Sequence, residues 1–401
     1  MIWESVLECA FRFVGGRAFP SLKRVPVIER SAFESCHIDS IDLSHLPLKR
    51  IERKTFYGVK LPSCLEYIGE SSFSNCRNIT EIIIPDNVKY IDDFAFGMDP
   101  KYIMEQTLEK ISMNPVTLGR GVFSQCSKLK HIDWGNRLKR IGSQCFYRCT
   151  ELTDIELPVT TDSIFGSAFS YCSKLESVSN LENVRVLYPY AFYYCESLKS
   201  VTLGCEVIGD NAFSSCTGLT DVTLKDGVRI IEEGAFTQGV PLTSITIPAS
   251  VDSIGGHAFS ISCLAEIKVY AQTPPVMGDW HSNTVFSNYD AALYVPKGSL
   301  DAYRNAPEWK RFKYIEEMDN TDGIHNHSHN SINIDTIYDM QRLQKVSPHL
   351  YLTLPRPSAS LRGRWESPRR FPGEWVRCRG SLCQHHGRGL TMYPTKCLPQ
   401  S

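Results

Sequence analysis

The sequence predicts a β-rich solenoid of parallel stacked repeats about 23 residues long, and three observations predict it. A phenylalanine recurs in one register, at Phe33, Phe56, Phe73, Phe96, Phe123, Phe146, Phe169, Phe192, Phe213, Phe236, Phe259 and Phe286. Seven of the eleven spacings are 23 residues, and the others, 17, 21, 27 and 27, read as coils with trimmed or extended turns. Each phenylalanine is preceded by an alternating apolar segment that stops at proline or another turn residue, as in Leu242, Ile245, Ile247 and Pro248. A small residue usually precedes the ring and a cysteine often follows it by three, giving the corner A-F-x-x-C.

Taken in chain order, residues 1–30 show only blurred periodicity, with Phe11 and Phe19 out of step. They are expected to form an N-terminal cap or degenerate first repeat, or to lie inside a longer gene. Residues 31–290 form the solenoid proper. The unit, L-x-x-I-x-I-P-x-x-V-x-x-I-x-x-x-A-F, supplies a strand, a second short apolar pair and a corner, as Leu152 to Phe169 show. One such unit cannot enclose a core, whereas stacking buries the apolar side of each against its neighbours. The stack is expected to be right-handed and curved, and twelve coils at about 4.8 Å each would extend on the order of 50–60 Å. Its predicted core holds Phe73, Phe96, Phe123, Phe146, Phe169, Phe192, Phe213, Phe236 and Phe259.

Residues 291–318 are expected to close the array, because a bare solenoid end exposes strand edges and rings. Ser299 fits an N-cap, and Leu300, Tyr303, Trp309, Phe312 and Ile315 follow at near-helical spacing with Pro307 as a break, predicting a capping helix or helix pair. Residues 319–336 read as a linker and 337–401 as a sorting-like segment followed by a disordered basic tail.

Cys126, Cys149, Cys172, Cys195 and Cys216, with Cys36 and Cys76, fall three residues after an anchor phenylalanine. Their position in the repeat explains them as buried free thiols, small core hydrophobes rather than disulfide or redox groups. Cys145 takes the place of the repeat's alanine.

The stretches L-T-S-I-T-I-P-A-S-V-D-S-I-G-G-H-A-F-S, Leu242 to Ser260, and S-A-F-S-Y-C-S-K-L, Ser167 to Leu175, resemble the BspA-type leucine-rich repeats over about residues 33–290. Leu293 to Ile315 is similar to the segment that closes bacterial members. The resemblance implies a ligand-binding or adhesive protein, at the cell surface or extracellular, with no catalytic residues to carry over. Ile337 to Tyr351 resembles the start of a C-terminal secretion segment of exported bacterial proteins, but lacks its glycine and one arginine, and His349 stands where glycine is usual. Beyond Leu352 the likeness ends, which suggests a frame error or decayed gene end.

Composition narrows the function further. The formal net charge is −1, yet residues 355–401 carry about +7 and the rest about −8. An acidic body argues against nucleic-acid binding, which needs a basic face. No apolar run reaches the roughly 18 residues of a transmembrane helix. There is no G-x-S-x-G, Walker, H-E-x-x-H or dinucleotide motif, so an enzyme and a cofactor are not expected. The acid pairs Asp92–Asp93 and Glu232–Glu233 read as solvated turn charges. Cys378, Cys383, His385, His386 and Cys397 do not match the common zinc spacings closely, and His325, His327 and His329 stand among Asn, Ser, Asp and Gly residues that read as a linker, so no metal is expected.

What remains is the strand face. Outward positions repeat once per coil, making one row of Asp133, Glu156, Ser179, Thr202, Thr223 and Thr246, and another of His131, Asp154, Ser177, Ser200, Asp221 and Ser244. From these, Asp133, Asp154, Glu156, Thr202, Asp221, Thr223 and Thr246 are the candidate ligand-binding residues, for a protein or glycan partner met by a monomer. The alternatives are a structural spacer or decayed gene product without a ligand, and an unrecognised enzyme.

Overall fold

The computed structural model describes residues 61–74, 79–98, 106–278 and 284–318, together with the backbone of short strands at 27–28, 41–42, 50–51, 59–60, 375–378 and 381–384. Phe33, Phe56, Cys36, Cys76, most of the expected N-terminal cap, the histidines at 325, 327, 329, 385 and 386, Cys397 and the secretion-like segment lie outside the described residues. The chain divides into two compact units, Met1–His329 and Asn330–Ser401. In the second, Trp375–Cys378 pairs antiparallel with Ser381–Gln384. Trp375, Val376 and Leu382 supply the strand propensity.

The first unit is a β-solenoid of parallel stacked strands recurring about every 23 residues. Its uninterrupted ladder is made by the second, shorter apolar pair of each repeat. Two-residue strands from Val27–Ile28 to Val276–Met277 join into one sheet of twelve. The register passes Ile141, Ile164, Leu187, Ile208, Ile231 and Ile254 from coil to coil, each fully buried.

The longer L-x-x-I-x-I strands, which carry the stronger sequence signal, do not form a single sheet. They divide into blocks, among them Asp154–Glu156 with Ser177–Ser179, Ser200–Leu203 with Asp221–Leu224, and a four-stranded block ending in Tyr314–Glu317. Adjoining blocks are linked by isolated bonds such as Lys199 N–H to Glu176 O at 3.2 Å.

The corner forms a third line of contact. Two residues before the ring the backbone is left-handed in Ser71, Phe94, Gly121, Gln144, Ser167, Tyr190, Asn211, Gly234 and His257. Two residues after it, Gln125, Arg148, Tyr171, Tyr194, Ser215 and Gln238 repeat that conformation. It costs roughly 1–2 kcal/mol for an L-residue, and inter-coil bonding offsets that cost. In one coil, Ser167, Phe169 and Tyr171 donate their N–H groups to the carbonyls of Pro189, Ala191 and Tyr193 at 3.0, 2.8 and 2.8 Å.

Inside the corner, Phe73 through Phe286 stack face to face in one continuous column, with centroids 4.8 to 5.5 Å apart. The residue before each ring is buried too, and Val122 and Val285 fit there as well as alanine, so the site is less strict than A-F suggests.

The C-terminal end keeps a short helical cap and adds a strand. Leu300–Asn305 is a six-residue helix, Trp309–Arg311 is a single 3-10 turn after Pro307, and Ile315 lies on Tyr314–Glu317, a strand parallel to Ala292–Val295. Ser299 occupies the N-cap position, but its hydroxyl donates back to Pro296 O at 2.6 Å and caps nothing. The turn is anchored instead by Tyr303 Oη donating to Ala271 O at 2.7 Å and Trp309 Nε1 to Pro275 O at 2.8 Å. Phe312 closes the ring column edge-on against Phe286 at 5.2 Å.

Candidate interaction surface

Alternation along the long strands turns isoleucine, valine and leucine inward and leaves short polar side chains outward. Asp133, Asp154, Glu156, Asp221, Thr223 and Thr246 are exposed, and Thr202 is half-buried. The parallel register sets Asp154 beside Ser177, Glu156 beside Ser179, Ser200 beside Asp221, and Thr202 beside Thr223. Thr246 faces Lys268, a cation absent from the small-polar pattern of the rows. Asp133 and Glu156 belong to different blocks, so backbone pairing does not bring them together.

Two of the acids are already engaged by the adjacent coil. Ser112 Oγ donates to Asp133 at 3.0 Å and Ser177 Oγ to Asp154 at 2.6 Å. The Ser177 hydroxyl, followed by Thr153, holds the Asp154 carboxyl below its ordinary value. Beside the rows runs a set of exposed inter-coil ion pairs, including Lys110–Glu81, Lys130–Glu109, Lys174–Glu151 and Lys199–Glu176. Such pairs contribute about 0–1 kcal/mol each, so they set the charge pattern of the face more than its stability.

Behind the face, Cys126, Cys149, Cys172, Cys195 and Cys216 are buried free thiols. Each donates its S–H to the carbonyl of the anchor phenylalanine one coil back: Cys149 to Phe123 at 3.3 Å, Cys172 to Phe146 at 3.2 Å, Cys195 to Phe169 at 3.2 Å and Cys216 to Phe192 at 3.1 Å. Cys126 reaches Phe96 at 3.8 Å. Alanine would fill much of the volume but leave that bond unmade. Burial pushes Cys126 and Cys172 up to about 12, and Cys149 and Cys195 well above the ordinary thiol value.

The acid pairs depart from the solvated charges expected of them. Glu232 is 7% exposed, and its carboxylate accepts the Asp210 N–H at 3.0 Å. Asp93 accepts the Arg120 N–H at 2.7 Å, and burial raises its pKa. Both carboxylates satisfy backbone donors at the corner, which periodicity alone does not reveal. No group of His, Cys, Asp and Glu among the described residues has metal-holding geometry.

Sequence reasoning also passed over a tyrosine cluster on the outer side of the corner. Its signal was the run Y-P-Y-A-F-Y-Y-C, Tyr188 to Cys195, preceded by Tyr171.

Known proteins share this pattern. The family described as BspA type leucine rich repeat region matches residues 6–103, 101–210 and 188–284, in six copies. No curated protein matches. Among solved structures, a leucine-rich repeat protein from Bacteroides ovatus is similar at 20% identity, over 76% of this chain and 94% of that one, with a TM-score of 0.38. The Treponema pallidum leucine-rich repeat protein is 24% identical over 51% of this chain and 86% of its own, with a TM-score of 0.36. A leucine-rich cell surface protein from Faecalibacterium prausnitzii is 18% identical over 76% and 87%, with a TM-score of 0.32.

Proposed function

The chain belongs to the BspA-type leucine-rich repeat family, and from that premise we propose that it is a noncatalytic interaction protein whose strand face binds a protein or glycan partner in adhesion or matrix contact. The observation that carries the proposal is the coil-to-coil register of exposed hydroxyls and acids on a rigid support, Asp154 beside Ser177 and Thr202 beside Thr223. Many modest polar contacts on a broad repeated surface suit an extended partner, and the exposed acids favour a basic one. A cell-surface or extracellular location and a monomeric state belong to the same proposal. No helix among the described residues is long and apolar enough to cross a membrane.

A second reading, the ligand-free spacer, is favoured by one observation. Asp133 and Asp154 already accept hydroxyl bonds from their neighbours and so serve the stack itself.

An array of extracellular-matrix proteins and glycans, probed with the full chain and with an Asp154→Lys, Glu156→Lys variant, separates the two. Binding that falls at least tenfold in the variant, with circular dichroism unchanged, supports the strand-face site. Binding that does not change removes these acids from it, and silence across the array supports the spacer.

A further inference from the structure

Five tyrosines and one arginine form a single connected cluster on the outside of the corner, across the coils anchored by Phe146, Phe169 and Phe192. Tyr171 and Tyr194 stack at 5.1 Å, and the Arg148 guanidinium carbon lies over the Tyr171 ring, 5.3 Å from its centroid. Tyr147 meets Tyr171 edge-on at 5.5 Å, and Tyr193 touches Tyr171, Tyr190 and Tyr194 at 5.5, 5.5 and 5.0 Å. Arg148 and Tyr190 are exposed, and the other rings are half-buried.

Two features separate this cluster from ordinary packing. First, its polar groups are unused: none of these five phenol hydroxyls, and no nitrogen of Arg148, has a hydrogen bond or ion pair to the described residues. Second, Arg148, Tyr171, Tyr190 and Tyr194 all hold left-handed backbone, with φ between 59° and 61° or at 62°. That conformation is a genuine outlier for a bulky side chain. Other coils meet the same requirement with Gly121, Gly234, Asn211 and Ser215, and also with Phe94, Gln125, Gln144, Gln238 and His257. The corner backbone thus accepts many residue types and does not by itself call for tyrosine or arginine there.

We infer that Tyr147, Arg148, Tyr171, Tyr190, Tyr193 and Tyr194 form a protein-binding hot spot, distinct from the strand face, for a partner segment that carries a carboxylate next to an apolar or aromatic side chain. Tyrosine and arginine are the residues enriched at such centres. Cation–π contact with the Tyr171 and Tyr147 rings positions the guanidinium, and its unpaired N–H groups can take a carboxylate in bidentate fashion. The adjoining ring faces and edges receive the apolar neighbour, with the hydroxyls at the wet rim. The inference does not rest on the strand-face proposal, since the two surfaces share no residue.

The test is an array of synthetic 15-residue peptides in which Asp or Glu stands within two residues of Leu, Phe or Trp, printed beside the same peptides with Asn or Gln, and beside a glycan array. The full chain is expected to bind acidic peptides at least tenfold above their amide counterparts. Arg148→Gln and Tyr171→Ala should each remove that preference, whereas Asp154→Lys with Glu156→Lys should leave it intact. Arg148→Lys keeps the charge but not the fork, and should also lose at least half of the signal. Circular dichroism and melting curves verify each fold; if Tyr171→Ala melts early, Tyr194→Ser and the two arginine variants carry the test. Equal signals from acid and amide peptides, no peptide binding, or binding that survives the arginine variants would overturn the inference. So would tyrosine-dependent, arginine-independent binding to glycans alone, which would make the cluster a saccharide platform.

Discussion

The strand face and the corner are made by the same repeat, yet they obey different constraints. On the strand face the backbone is extended, any β-compatible residue is accepted, and the outward positions hold small hydroxyls and acids that interact mainly with the next coil. At the corner the backbone turns through left-handed residues, two or three inter-coil bonds per repeat hold it, and the rings inside stack in one continuous column. The lesson is that stability and variability are placed on different sides. The corner fixes the stack, and only its outer skin, like the strand face, is free to differ from coil to coil.

The most severe way to break this division is to remove a ring. Phe169→Ala should cost roughly 3–5 kcal/mol, and hydrogen exchange should show lost protection concentrated in the coils of Phe146 and Phe192, whose rings stand 5.1 and 5.2 Å from it. Uniform loss along the stack, or none, would count against a column supported by nearest neighbours. A subtler blow falls on the backbone. An added Cβ at Gly121, where φ is 59°, would meet the Phe94 ring at 2.3 Å, so Gly121→Ala should lose on the order of 2 kcal/mol in urea unfolding. An unchanged midpoint would show that the Phe94 ring moves aside at little cost.

The smallest effect belongs to the strand face and is read through pH. The Asp154 carboxyl is depressed by the Ser177 hydroxyl bond first and then by Thr153. A depressed carboxyl stabilises the folded state above the ordinary aspartate value of about 4, and that contribution fades as pH falls through the lowered folded value. Melting temperatures of wild type and Asp154→Asn should therefore differ slightly at neutral pH and converge in acid. A constant offset would mean that the Ser177 bond does not depend on charge.

How much of this was legible in the sequence depended on whether a constraint repeats as a residue type. The ring column and the buried cysteine positions recur as letters, and a periodic reading finds them, whereas the outward rows pair only within blocks. The left-handed corner recurs as a conformation filled by Ser, Gln, Asn, Tyr, Arg and only occasionally Gly, so no letter marks it. The L-x-x-I-x-I segment looked like the main sheet because it is longer, but hydrogen-bond continuity belongs to the two-residue strands, where length gives little signal. At the end of the array the near-helical spacing found the helix of Leu300 and Tyr303 and the turn of Trp309, but not the strand that carries Ile315. Glu232 and Asp93 looked solvated because their backbone donors, Asp210 and Arg120, sit in neighbouring coils more than twenty residues away.

The thiol-to-carbonyl bonds along the corner also impose a timetable. While the chain is unwound, each of these sulfurs ionises like an ordinary cysteine and is open to oxidants and to exchange with its many siblings. Once a coil closes on the next, its sulfur is screened from water, and burial raises the thiols of Cys126, Cys149, Cys172 and Cys195 well above the ordinary value. Chemical safety is thus acquired coil by coil, and the interval before winding is complete is when crosslinked, unrecoverable chains would accumulate.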